Sequence, residues 1–141
     1  MADHVFEKTL TANDTGETGG HQAGMHISKS QPEFIRFMPR LKPDVKNPDA
    51  WIVCRDEKGY DWSFRFVYYN NKHHDEGGMR DEYRITHMTK FFRAIGATEG
   101  DIFRISGKPG SGEYSVFIRK PPDQEQPATG PIRLRGWRRV Y

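Results

Sequence analysis

Arg80, Glu82 and Arg84 are spaced by two. On a β-strand that spacing puts three side chains on one face. An arginine can donate to guanine O6 and N7 together, and a glutamate can accept from cytosine N4, so an Arg–Glu–Arg face suits C·G pairs. A carboxylate repels phosphate, and its place in such a row needs a reason. Cytosine readout is one. Pairing with both arginines to hold their orientation is the other. Lys72, Lys90 and Arg93 are suited to meet phosphates, contacts that orient a partner without specifying its sequence. Cations clustered in this way favour a polyanion over a neutral partner.

The stretch 11–24 (TANDTGETGGHQAG) is the second place where residue types suggest binding. Backbone amides at Gly16, Gly19 and Gly20 are unshielded and can approach an anion closely. Asn13, Thr15, Thr18 and Gln22 supply neutral donors and acceptors. His21 can donate to guanine N7 or to a phosphate, or it can bond Asp14 and stiffen the loop. His26 is opposite in parity to Met25 and Ile27, so if those two face the core it faces out. Near the end, Arg133, Arg135, Arg138 and Arg139 alternate with Leu134 and Trp137. They either extend phosphate contact or form a charged, solvated strand.

Catalytic patterns are present only in outline. Pro48-Asp49 and Asp56-Glu57-Lys58 imitate the carboxylates and lysine of a metal-dependent PD…(D/E)xK nuclease. Asp49 and Asp56 are only seven residues apart, and Lys58-Gly59 reads as a hairpin turn between strands. A small metal-dependent nuclease is therefore the alternative reading. His73, His74 and Asp75 are adjacent, and adjacent side chains on a strand diverge. Neither GKPGSG nor TGETGGHQ ends in the lysine-serine/threonine of a phosphate-binding loop. The single cysteine, Cys54, excludes a disulfide framework and a cysteine zinc cage. It reads as a small buried residue.

The elements that must carry these residues are mostly strands. Residues 4–10 and 25–29 read as strands either side of the glycine-rich stretch, which reads as a long loop without helix. Ser30 with Glu33 forms a capping-box pattern, with Pro32 in the first turn, and predicts a short helix ending at Pro39. Strands are expected at 50–57 and 61–70; in the latter Trp62, Phe64, Phe66 and Tyr68 alternate with Ser63, Arg65 and Tyr69. A polar loop spans 70–81, and a strand leaves it at 82–87. A second helix is expected at 89–95, with Thr89 as cap and Gly96 as stop. Strands 101–106 and 113–119 flank GKPGSG. A proline-rich loop follows, and two short basic strands lie at 131–135 and 137–141.

At 141 residues the chain suits one domain, and aromatics at 13% can supply its core. Net charge is +3 with 29% charged residues, a wet and mildly basic surface with no membrane span. Asp3, Glu7, Asp14 and Glu17 interrupt the first twenty residues and argue against a secretory leader.

The run LTANDTGETGGHQAGMHI (Leu10–Ile27) resembles the first DNA-contacting arm of the EcoRII-type restriction endonuclease N-terminal effector domain. YYNNK (Tyr68–Lys72) followed by RDEYRITH (Arg80–His87) resembles its second arm. The resemblance implies a mainly β, B3-like open pseudobarrel of about seven strands with two short helices. It implies that both arms enter the major groove of double-stranded DNA at a target like CC(A/T)GG. The contacts it implies come from Asn13, Asp14, Thr15, Thr18, Gly19, His21, Gln22 and His26, and from Lys72, Arg80, Asp81, Glu82, Arg84, Thr86 and His87. It also implies a covalently linked nuclease domain that holds the Mg2+, no cofactor, metal or small-molecule substrate for the domain itself, and a prokaryotic cytoplasmic setting.

Overall fold

The computed structural model describes residues 3–16, 24–121 and 136–140. Eight strands form one sheet: β1 (His4–Thr9), β2 (Met25–Ile27), β3 (Asp49–Arg55), β4 (Asp61–Tyr69), β5 (Glu82–Thr86), β6 (Ile102–Gly107), β7 (Glu113–Arg119) and β8 (Arg138–Arg139). Their order is β2-β5-β4-β3-β7-β6-β1-β8. All neighbours are antiparallel except β3 with β7. The mainly β expectation holds, with eight strands instead of about seven; the eighth is the two-residue β8.

Strand parity puts the β4 rings on the inner face as the alternation predicts, although Val67 on the other face is buried too. On β4, Phe64, Phe66 and Tyr68 are buried and Trp62 is half-buried, while Asp61 and Ser63 are exposed. On the inner face these rings meet Phe91 of the helix α3 (Thr89–Ile95) edge to face, Phe64 at 5.3 Å and Trp62 at 5.6 Å. A second aromatic group closes the other side of the core. Phe34 and Phe37, from the helix α2 (Pro32–Phe37), pack against Phe6. Trp137 stacks on Phe34 at 4.0 Å, so the short β8 is seated by a buried indole as well as by pairing with β1. Cys54 is fully buried in the same core, and burial pushes its thiol up.

Three local expectations are corrected. Residues 11–24 are not all loop: α1 (Ala12–Thr15) is a single helical turn, with Thr11 and Asp14 as a reciprocal capping box and Gly16 in the left-handed conformation at its end. Ser30 and Glu33 do not form a capping box. Gln31 is the N-cap of α2, and its amide is drawn away to the Trp137 carbonyl, while Ser30 and Ser28 hydroxyls bond each other. Thr89 is the first residue of α3 and not its cap; Met88 holds that place. Gly96 ends α3 as expected, with φ 75°.

Candidate nucleic-acid interface

The first arm leaves β1 through α1 and returns into β2. Its base is pinned twice. The Gly24 amide donates to the Asp14 carbonyl at 3.0 Å. The Asp14 carboxylate accepts from the buried Lys8 ammonium and from the Thr11 amide. Asp14 is 6% exposed, so this carboxylate faces the interior and braces the arm. Asn13 is exposed and Thr15 half-buried beside it. Thr18, Gly19, His21 and Gln22 lie outside the described residues.

β2 connects the exit of the first arm to the base of the second. At one end, Gly24 is pressed on β5 so closely that a Cβ would stand 2.5 Å from the Ile85 carbonyl oxygen. At the other, Lys29 reaches Asp81, the last residue of the 70–81 loop. Only a glycine permits the first approach. The pairing registers His26 with Arg84 and Ile27 with Tyr83. Met25 and Ile27 are fully buried and His26 is exposed, as parity predicts.

The second arm is braced by side chains. Its base is a clasp on Asp81: Lys29 and the Tyr68 hydroxyl meet Oδ1, and His73 Nε2 lies 3.4 Å from Oδ2. Hydrogen bonds from Lys29 and Tyr68 hold the Asp81 carboxyl well below the usual carboxylate range. Burial, with the facing Asp81, pushes the Tyr68 phenol up. Asn71 lies in a turn of 3-10 helix (Asn71–His73), and its side chain accepts from the Arg80 amide at 2.7 Å. Lys72 is exposed, and its amide donates to the Arg80 carbonyl.

Arg80 precedes β5, so strand parity does not align it with Glu82 and Arg84 as the spacing suggested. Tertiary contacts do. Its guanidinium lies over the Tyr69 ring, 3.7 Å from the centroid, and donates to Glu82 Oε1 at 2.5 Å. Arg84 Nη1 is 4.0 Å from Oε1 of the same carboxylate, and His26 Nε2 is 4.0 Å from Oε2. Arg80, Glu82, Arg84 and His26 thus form one connected polar row on the outer surface of β2 and β5, between the two arms.

The row continues across β4 and β3. Thr86 registers with Arg65, and Arg65 with Trp51. Arg65 Nε donates to Asp49 at 2.7 Å. His87 is exposed and left-handed, with φ 67°; its Nδ1 is 2.9 Å from the Thr86 hydroxyl, and its ring meets Trp51 edge to face at 4.9 Å. Tyr69, Lys29, Arg65 and Trp51 were not among the expected contacts. Parity put Tyr69 and Arg65 on the outer face. Their nearness to the polar row depends on which strand lies beside β4, and strand parity carries no information on that.

Lys90 and Arg93 are exposed on α3. Arg138 is engaged in the structure: with Arg104 and Arg119 it surrounds the buried Glu7 carboxylate, at 2.8 Å from Oε1. Burial alone would raise the Glu7 carboxyl, but these guanidiniums hold it below its ordinary value. Arg139 stands 3.7 Å from Glu33. Arg133 and Arg135 lie outside the described residues.

The nuclease-like residues are kept apart. Asp49 and Asp56 lie at opposite ends of β3, on the order of 20 Å from each other at the rise of a strand. Asp56 is used in the β3–β4 turn, accepting from the Lys58 and Tyr60 amides and the Trp62 indole. Two carboxylates so placed cannot share an ion. His73, His74 and Asp75 turn to three different partners: Asp81, the Pro43 carbonyl and Lys46. Among the described residues no three His, Cys, Asp or Glu side chains converge as a metal site, and no helix is long and apolar enough to cross a membrane.

Comparison with known proteins agrees with this architecture. The chain is 34% identical over 111 residues to the type II restriction enzyme EcoRII of Escherichia coli, a match covering 73% of this chain and 24% of that enzyme. It is 29% identical over 117 residues to auxin response factor 9 of Oryza sativa subsp. japonica, covering 83% of this chain and 15% of the factor. The chain therefore spans a quarter or less of the length of either relative. Among solved structures, the Arabidopsis FUS3-DNA complex superposes with a TM-score of 0.60 at 23% identity, covering 83% of this chain and 97% of that one. A hypothetical Arabidopsis thaliana protein superposes at 0.56 and 11% identity, covering 86% and 94%. Residues 2–101 match the family described as restriction endonuclease EcoRII, N-terminal, and with the shared fold and the EcoRII identity this establishes that the chain belongs to that family.

Proposed function

We propose that this chain binds double-stranded DNA sequence-specifically and serves as an effector or targeting domain of a type II restriction endonuclease. The observation that carries the reading is the connected row His26–Arg84–Glu82–Arg80 between the exits of the two arms. Arg80 and Arg84 read guanines in the major groove, and Glu82 accepts from cytosine N4 while aligning Arg80. His26, Thr86 and His87 flank them. Asn13, Thr15, Thr18, Gly19, His21 and Gln22 make the first-arm contacts, and Lys72 meets phosphate. Asp14 and Asp81 act by positioning, because their carboxylates are already held by Lys8 and by Lys29. The target is CC(A/T)GG or close to it, read in the major groove by both arms. Cutting chemistry, with its Mg2+, belongs to a covalently linked nuclease domain.

The test is a gel-shift comparison of a CC(A/T)GG duplex with a scrambled duplex and a single strand, with and without magnesium. Preference for the first duplex is expected. A plasmid bearing several such sites stays supercoiled when the chain and magnesium are added. Reproducible nicking that disappears on Asp49→Ala or Asp56→Ala would instead establish a nuclease.

Binding is expected to weaken steeply with salt. Neutralising about 4–7 phosphates gives a slope on the order of −4 to −6 in log K against log salt. A slope near zero, measured from 50 to 200 mM salt, means that no phosphate backbone is engaged.

A further inference from the structure

Met79 stands at the exit of the second arm with 87% of its surface exposed, the most exposed of the large apolar side chains among the described residues. A Met at that exposure gives apolar area to water with no gain for the fold. Its two neighbours, in contrast, are fixed. Gly78 passes so close to Asn71 that a Cβ would stand 2.2 Å from the Asn71 carbonyl oxygen, and its amide donates to the Asp75 carbonyl at 3.0 Å. Arg80 is held by its backbone on Asn71 and Lys72 and by its guanidinium on Tyr69 and Glu82. The loop therefore presents Met79 from a braced backbone, one residue before an arginine of the reading row.

We infer that Met79 is a specificity-determining residue that contacts the C5-methyl group of a thymine in the major groove. This rests on the duplex-DNA reading proposed above. The thymine methyl is the one apolar group that the major-groove edges of the bases offer, and apolar side chains are its partners. Consecutive Cα atoms are about 3.8 Å apart and stacked base pairs about 3.4 Å, so side chains on neighbouring residues can meet neighbouring pairs. If Arg80 reads a guanine, Met79 meets the adjoining pair. In a target like CC(A/T)GG, the pair next to the guanines is A·T.

Uracil lacks only that methyl and pairs as thymine does. Each thymine in and beside the site is replaced by uracil in turn, and affinity is measured by competition for the wild-type chain, Met79→Ala and Met79→Leu. Wild type is expected to lose about fourfold at one position, the equivalent of one methyl group leaving an apolar contact. Met79→Ala should bind the thymine and uracil duplexes alike, and Met79→Leu should keep the thymine preference. The side chain is exposed, so all three chains should unfold at the same urea concentration. A thymine preference that survives in Met79→Ala, or no preference at any position in a wild-type chain that still selects the intact site, overturns the inference and leaves the proposed function standing. A wild-type chain that binds the scrambled duplex equally well overturns both.

Discussion

Arg84→Ala is expected to remove about 1–3 kcal/mol of discrimination at one guanine, if its contact there is bidentate. The residue is well prepared for such a contact. Its neighbours across the sheet are Val67 and His26, its side chain is only 24% exposed, and Glu82 lies 4.0 Å from its guanidinium. Lys72→Ala should instead weaken every duplex by a similar factor, because a phosphate contact carries no sequence information. Glu82→Ala separates two roles. If Glu82 accepts from cytosine N4, affinity for the site falls while affinity for unrelated duplex holds or rises, since a negative charge near phosphate is gone. If it only braces arginines, the loss appears at guanine positions and vanishes once the braced arginine is removed, as a double-mutant cycle shows. The geometry directs that cycle to Arg80 first, which donates to Glu82 at 2.5 Å, and to Arg84 second. Competition titrations against single-base variants of the site make the measurement. Uniform losses for both Arg84→Ala and Glu82→Ala across all those duplexes would reduce the second arm to a phosphate clamp.

Asp14→Ala is expected to lower stability by about 3–5 kcal/mol, because it leaves the Lys8 ammonium buried without its counter-charge. The side chains are 5% and 9% exposed, and Asp14 also caps its own helical turn by accepting from the Thr11 amide. For a domain with about 5–15 kcal/mol in total, that is a large share. The check is the urea midpoint at an unchanged slope. Replacing both partners together, Lys8→Met with Asp14→Leu, should restore most of the loss, since apolar groups of similar size remove the buried charge altogether. The double variant also tests function. A brace can be replaced by packing, so the double variant should still prefer the CC(A/T)GG duplex. An unchanged midpoint for Asp14→Ala would show that the pair does not hold the arm, and loss of preference in a stable double variant would return Asp14 to direct DNA contact.

The sequence by itself determined which face of β2 and of β4 carries the apolar side chains inward. Trp62, Phe64, Phe66 and Tyr68 alternate with Ser63 and Arg65, and the core lies on the aromatic side. Met25 and Ile27 are buried around an exposed His26 for the same reason. Parity is a property of the extended backbone and needs no partner. Turn and stop signals were legible on equally local grounds: Gly59 at φ 86° turns β3 into β4, and Gly96 ends α3. The two arm motifs also stood in the sequence, and they pointed to the family.

What the tertiary structure decided is who stands beside whom. Nothing local sets β2 against β5, 55 or more residues away in the chain, yet that pairing puts His26 beside Arg84 and Lys29 on Asp81. Arg80 lies off the strand, and stacking on Tyr69 with pairing to Glu82 recovers what parity could not supply. The Ser30–Glu33 cap was locally sound and lost, because Gln31 took the N-cap and the Trp137 carbonyl claimed its side chain. Asp14 read as part of a polar loop, and only the fold sets the buried Lys8 ammonium against its carboxylate. Side-chain direction follows from the chain's own geometry, whereas register and ion pairing follow from closing loops around a shared core, and only the folded chain fixes those distances.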